Sequence, residues 1–300
     1  MSVSLRGILA PAVTTFQAGS GDLDLLAFAE NIVAHMEAGL HGVVVAGSTG
    51  EAALLDEAER RQLIETARRV VPDDRLLIAG VGAESTRTTI RLAHQAAAAG
   101  AIAVLVVSPH YYTAAMTAHA LRTHFRRVAD ESPVPVILYN IPKYVGFTIA
   151  PSLVIDLAKH ENIIGIKDSS GDRDLLSVYL TEQSDRFSVA TGSGALLHFA
   201  LKTGARGGVL AVSLFAPELC IAVYDAMERG QEGTALAAQA RLGPMSNRIV
   251  ADFGVAGVKA ALDALGHNGG PVRPPLVSLS ADDAARVRNA LLEGAVTIAS

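Results

Sequence analysis

The chain has 300 residues, half of them hydrophobic, a formal net charge of -5 and no basic run. That composition supplies a large core and argues against nucleic acid as the main partner. The lone cysteine, Cys220, cannot close an internal disulfide and reads as a buried structural thiol. The start, MSVSLRGILAP, shows neither a long apolar leader nor an Arg/Ser-rich one. The most apolar stretches, such as 101–107, fall far below the ~20 residues of a membrane span. A soluble, cytoplasmic protein is therefore expected.

Eight runs rich in Val, Ile and Leu are predicted as strands: 7–14, 42–47, 76–80, 103–108, 134–140, 163–167, 187–192 and 207–212. They are near-continuously apolar, as parallel strands covered on both faces are. Helical patterns lie between them, for example Glu57 to Val71 and Thr86 to Ala99, with Pro72 and Gly100 as stop signals. Paired arginines such as Arg60-Arg61 read as solvated helix faces. Eight strand–helix units of fairly regular spacing, with no GxGxxG after the first strand, predict a (β/α)8 TIM barrel rather than a doubly wound sheet. After Ala216 only helical patterns remain. The expected organisation is a catalytic barrel over 1–228 and a C-terminal helical extension over 229–300 packed on it.

Chemistry in such a barrel sits at the C-terminal ends of the strands. The second strand ends in Gly47-Ser48-Thr49-Gly50-Glu51, the fourth in Pro109-His110-Tyr111-Tyr112, and the fifth in Tyr139-Asn140-Ile141-Pro142. The sixth ends in Lys167-Asp168-Ser169-Ser170 and the seventh in Thr191-Gly192-Ser193-Gly194. Strict alternation along the sixth strand places Ile163, Gly165 and Lys167 on one face, with Gly165 leaving room below the lysine. Burial disfavours the charged form of an amine, and a neutral amine attacks a carbonyl to give a Schiff base. A lysine that snorkels from a strand end is the competing reading.

Schiff-base chemistry moves protons several times, and a phenol among hydroxyls can carry them. Tyr139, Tyr111 and Tyr112 are the candidates, each also explicable as a core or loop aromatic. The Ser48-Thr49 turn offers hydroxyls and backbone N–H groups to a small carboxylate, or is simply a capped turn. The nine histidines show no metal-ligand spacing, so no metal is expected. No Gly-x-Ser-x-Gly elbow ends a strand, which leaves a hydrolase triad unsupported.

In this order, the GxTGE turn, the paired tyrosines, YNxP, GIKD and the late GS resemble the dihydrodipicolinate synthase / N-acetylneuraminate lyase superfamily over essentially the whole chain. Within it, segments 75–90, 108–142, 163–172 and 253–280 look most like 4-hydroxy-2-oxoglutarate aldolase. The last of these segments is expected to lie outside the active site.

The resemblance implies that Lys167 forms an imine with pyruvate or a related 2-oxo acid and that Tyr139 shuttles the proton beside it. It implies that Tyr111, which the family spacing favours over Tyr112, relays protons through Ser48. Ser48 and Thr49 would hold the substrate carboxylate, and Ser169, Gly192 and Val209 would line the pocket. A homotetramer built from dimers is implied as well.

Some positions depart from the pattern. The synthases usually carry an arginine two residues after the YNxP proline, where this chain has Tyr144 following Lys143. They usually also have a tyrosine, supplied across a subunit contact, where this chain has His110. The aldolases often carry asparagine at the place of Thr49.

The expected reaction is class I retro-aldol cleavage of a 4-hydroxy-2-oxo acid, most of all 4-hydroxy-2-oxoglutarate, to pyruvate and glyoxylate. It needs no cofactor, since the lysine itself supplies the electron sink. The alternatives are condensation of pyruvate with aspartate semialdehyde, a sugar-acid aldolase or dehydratase, and a non-catalytic 2-oxo-acid binding protein.

Overall fold

The structure is a computed structural model and describes residues 3–298. Eight parallel strands close into a barrel in sequence order. They are β1 (Gly7–Pro11), β2 (Gly42–Val45), β3 (Leu76–Gly80), β4 (Ala103–Val107), β5 (Val136–Asn140), β6 (Ile163–Asp168), β7 (Ser188–Thr191) and β8 (Gly207–Val209). The ring shuts where β8 pairs with β1, Gly7 opposite Gly207 and Leu9 opposite Val209. The predicted (β/α)8 barrel is thus the fold.

Eight helices clothe the barrel: α1 (Leu25–Glu37), α2 (Glu57–Val70), α3 (Thr86–Ala98), α4 (Ala118–Glu131), α6 (Pro151–Leu157), α7 (Arg173–Leu180), α8 (Leu197–Lys202) and α9 (Pro217–Glu228). A one-turn helix, α5 (Pro142–Val145), stands at the exit of β5. Local chemistry sets several starts. Asp56 and Glu59 form a reciprocal capping box on α2, and Ser85, Thr117 and Asp172 cap α3, α4 and α7. Three helices complete the C-terminal end: α10 (Glu232–Met245), α11 (Asp252–Ala264) and α12 (Ala281–Glu293).

The core divides in two. Val43, Val45, Val104, Val106, Ile163 and Ile166 pack outward against the helices. Leu9, Val44, Ile78, Leu105, Ile137, Tyr139 and Val209 fill the barrel interior. Arg60 is not a solvated helix residue. Its guanidinium reaches the carbonyl oxygens of Gly80, at 3.2 Å, and Ala52, tying α2 to the ends of β2 and β3.

Five strands, β1, β2, β4, β7 and β8, end earlier than predicted. The apolar runs continue past Pro11 and Val209, but Ala211–Leu214 coils into a tight 3-10 turn. Apolarity alone does not separate a strand from a buried turn.

Strict alternation fails on β6. The pairing of β5 with β6 steps from Val136–Ile163 to Ile137–Gly165, an irregularity that inserts one residue. Ile163 and Ile166 consequently both face the helices, and Ile164 packs with the interior side. A Cβ at Gly165 would collide with the Ser188 carbonyl oxygen on β7. Gly165 therefore permits close strand approach, and it does not make room for the lysine.

The helical pattern expected after Ala216 is also interrupted. Pro244 lies near the end of α10, and Ser246–Ala251 winds as a π-turn before α11 begins. Gly254 (φ 57°, ψ -139°) then breaks the path of α11. This uneven stretch crosses the open end of the barrel.

Candidate active site

Lys167 is the fifth residue of β6, and its side chain turns into the barrel mouth, buried. Its ladder partner on β5 is Tyr139, also buried. Nζ lies 4.3 Å from the centroid of the Tyr139 ring, within the range at which an ammonium is attracted to the face of a phenol. The amine opens onto a cavity of about 350 Å3.

Ser48, Thr49, Tyr139, Ser169, Gly192 and Val209, all selected from the sequence, line that cavity together with Lys167. Gly192 shows why its residue type is demanded. A Cβ there would collide with the Ser169 hydroxyl and stand 3.1 Å from Lys167 Cε. The glycine that gives the amine its space thus comes from the neighbouring strand's exit loop, and it replaces Gly165 in that role.

The turn after β2 is held in an uncommon shape. Ala46 (φ 53°) and Glu51 (φ 56°) both adopt left-handed conformations, which cost of order 1 kcal/mol or more for residues with a Cβ. The Thr14 hydroxyl donates to Gly50 O at 2.6 Å, and Glu51 N–H to Ser48 O at 3.1 Å. Among the described residues, the N–H groups of Ser48 and Thr49 donate to no protein acceptor. Two free amides and two hydroxyls at one turn suit a carboxylate.

Behind Lys167 lies a buried polar network. Asn140 donates to Asp168 Oδ1 at 2.7 Å and accepts from Ile149 N–H at 3.0 Å. The Ser170 hydroxyl donates to Asp168 Oδ2 at 2.8 Å. Gly192 N–H donates to Asp168 O at 2.6 Å and Ser169 N–H to Asn140 O at 2.8 Å. Burial pushes the Asp168 carboxyl above its ordinary range, against the hydrogen bonds from Asn140 and Ser170. This network fixes the loop carrying Ser169 and the position of Gly192. The sequence marked Asp168 only as one of the residues that end the sixth strand.

Tyr111 and Tyr112 are not brought to the cavity. They stack edge-on, ring centroids 5.0 Å apart, and stand 77% and 71% exposed. Their loop is held by Glu84, which accepts from the N–H groups of His110 and Tyr111 at 2.9 and 2.8 Å. The His110 ring nitrogen Nδ1 lies 3.1 Å from the same carboxylate.

The expectation that 253–280 lies outside the site is overturned. Gly254, Val255 and Val258 of α11, with Ser246, Asn247, Val250 and Ala251 of the π-turn, form one wall of the cavity. No local motif could have revealed this, because these residues meet the strand ends only through the fold. Lys143 and Tyr144 of α5 stand at the same mouth, and Lys143 Nζ donates to Ala251 O at 3.0 Å. Burial raises the Tyr144 phenol above its ordinary range, with Tyr139 adding to it.

A lysine inside the mouth of a (β/α)8 barrel, beside a phenol and sharing its cavity with the Ser48-Thr49 turn, defines a Schiff-base enzyme of the lyase and synthase class. The model of the Dihydrodipicolinate synthetase family matches residues 4–293, and the chain belongs to that family. It is 34% identical to a 4-hydroxy-tetrahydrodipicolinate synthase of Methanoculleus marisnigri, over 96% of this chain and 98% of the relative. It is 36% identical to an uncharacterized DapA-like lyase of Halobacterium salinarum, over 94% and 92%. Among solved structures it is similar to YagE, a prophage protein of E. coli K12 in complex with pyruvate, at 29% identity and a TM-score of 0.92, covering 98% of this chain and 100% of that one. No helix of the described residues is long and apolar enough to cross a membrane.

Gly192→Ala is expected to lower the rate of imine formation at Lys167 by about 100-fold, the penalty of a displacement near 1 Å at a reacting centre. Borohydride trapping with pyruvate measures it. Wild-type trapping kinetics in a folded variant would contradict the steric role of Gly192.

Proposed function

We propose that the protein is a class I aldolase cleaving a 4-hydroxy-2-oxo acid with a carboxylate at its far end, with 4-hydroxy-2-oxoglutarate as the best fit. The observation that carries this reading is the Lys143 ammonium in the lining of the same cavity as the Ser48-Thr49 turn. A five-carbon dicarboxylate has an anion at each end and its 2-oxo carbon between them.

In this reading Ser48 and Thr49 hold the 1-carboxylate, and neutral Lys167 attacks C2. Tyr139 gives a proton to the departing hydroxyl of the carbinolamine, and water leaves as the protonated imine forms. Removal of the 4-hydroxyl proton breaks the C3–C4 bond. Its electron pair enters the imine to give an enamine, and glyoxylate departs. Protonation at C3 and hydrolysis release pyruvate and restore the lysine. Ser169, Gly192 and Val209 shape the wall. No cofactor enters this sequence.

Condensation of pyruvate with aspartate semialdehyde is the second reading, favoured by the likeness to the Methanoculleus synthase. Tyr144 counts against it, because it stands where the synthases usually carry an arginine.

Tyr111 enters this reading through assembly. Its exposure and its absence from the cavity lining of its own chain fit delivery to the Ser48 side of a second copy's site. A two-fold contact made by the exposed Tyr111–Tyr112 pair is the natural unit of a homotetramer assembled from dimers.

A coupled assay for pyruvate release, run beside an assay for semialdehyde-dependent pyruvate consumption, separates the two reactions. Turnover of 4-hydroxy-2-oxoglutarate is expected. Consumption of the semialdehyde with no cleavage of the hydroxy acid would replace the aldolase reading with the synthase one. Lys143→Met is expected to raise KM for 4-hydroxy-2-oxoglutarate about tenfold, the loss of a charge-assisted contact. Its KM for a 2-oxo acid lacking the far carboxylate is expected to rise less, and equal effects on both would remove Lys143 from the role.

For the assembly, Lys167→Ala and Tyr111→Phe chains are dissociated, mixed and reassembled. Random pairing into two-fold dimers is expected to restore about a quarter of wild-type activity. Recovery no greater than the sum of the parents would refute delivery between subunits.

A further inference from the structure

The ion pair between Lys259 and Glu51 joins α11 to the turn after β2 and has no part in the reaction sequence above. Lys259 Nζ lies 2.6 Å from Glu51 Oε1, and both side chains are almost wholly withdrawn from solvent. The other Glu51 oxygen, Oε2, accepts the Arg273 backbone N–H at 2.8 Å. Lys259 also donates to Pro271 O at 2.6 Å. Phe16 is covered by two cations, Lys259 Nζ at 4.6 Å and the Arg273 guanidinium at 4.2 Å from the ring centroid. Arg273 in turn forks onto Glu59 of α2 with two contacts of 2.7 Å.

Such a pair is a poor device for stability alone. Its Coulomb gain is largely cancelled by desolvation, and apolar side chains of similar volume often serve as well. What it does supply is direction. Glu51 is one of the two left-handed residues that bracket Ser48 and Thr49. With one carboxylate oxygen committed to the Lys259 ammonium and the other to a backbone N–H, Glu51 has a single orientation. Val255 and Val258, one turn and one residue before Lys259 on α11, line the cavity. One helix therefore walls the pocket and grips the turn after β2. Burial lowers the Lys259 amine's affinity for its proton, and the Glu51 carboxylate acts against that.

We propose that Lys259 is a positioning residue that acts through Glu51 to hold the Ser48-Thr49 turn in the geometry that binds the substrate carboxylate. The C-terminal extension thus sets affinity for the 2-oxo acid from outside the barrel. This inference rests on the reading of Lys167 as the imine-forming residue and of the turn as the carboxylate site.

The test is the pyruvate dependence of borohydride trapping at Lys167, measured by intact mass in the wild-type chain, Lys259→Met and Glu51→Gln. Near-UV circular dichroism reports the folded fraction in the same samples. Glu51→Gln keeps an acceptor for the Arg273 N–H and leaves Lys259 free to become neutral, so it provides a second variant if Lys259→Met does not fold. The expected result is a rise of about tenfold in half-saturating pyruvate, the effect of weakened hydrogen bonds to an anion. The plateau of trapped protein per folded protein is expected to stay near wild type.

An unchanged half-saturation in a folded variant would overturn the proposal. A loss of trapped protein that follows the folded fraction while half-saturation stays at the wild-type value is what a merely structural pair produces, and it would overturn the proposal equally. Absence of any adduct on wild-type Lys167 would instead remove the imine reading itself, and the two failures are therefore distinct.

Discussion

Closure of a parallel sheet into a barrel forces neighbouring strands to share one interior and one mouth. The pairing of Tyr139 with Lys167 across β5 and β6 is where that constraint becomes chemistry. The ladder leaves the two residues no freedom of relative height, so a phenol and an amine that are 28 positions apart in sequence must lie side by side. Everything else at the site is arranged around this fixed pair. Gly192 on the next strand's exit loop vacates the space the amine needs, and the turn after β2 offers unbonded amides along the same cavity.

A second constraint operates behind the first. Strand ends give way to loops, and loops hold a reacting geometry only when their polar groups are fully committed. At β6 that commitment is the Asn140–Asp168–Ser170 network. At β2 it is Glu51, gripped by Lys259 and the Arg273 backbone. Both networks are buried, where hydrogen bonds are strong and an unmet partner is costly. Helix α11 and the segment after it are therefore part of the site's construction, as wall through Val255 and Val258 and as anchor through Lys259 and Arg273.

The sequence made the strand cores legible because their apolar runs are short, β-branched and bounded by turn residues. Their ends were less legible, since the apolar run of β8 passes without a break into a 3-10 turn. Lys167, Tyr139, Ser48 and Thr49 could be placed together because a barrel collects whatever its strand ends carry, whereas Ser169, Gly192 and Val209 were assigned to the pocket by the family resemblance. The inserted residue on β6 could not be read, since nothing in IIGIK marks it, and the role assigned to Gly165 failed because the close approach of β7 leaves no trace in the local sequence. Lys259 was invisible as a partner of Glu51, because their contact spans the length of the chain and leaves no local pattern. Tyr111 stands outside its own chain's pocket, which no reading of spacing along one chain could have anticipated.

The central claim is that Lys167 is the nucleophile, and covalent capture tests it most directly. The protein is incubated with pyruvate and borohydride, digested, and mapped by mass spectrometry. One reduced pyruvate adduct is expected, located on Lys167, and none in a folded Lys167→Ala variant. A wild-type chain that gives no adduct, or an adduct at another lysine that survives Lys167→Ala, would contradict it.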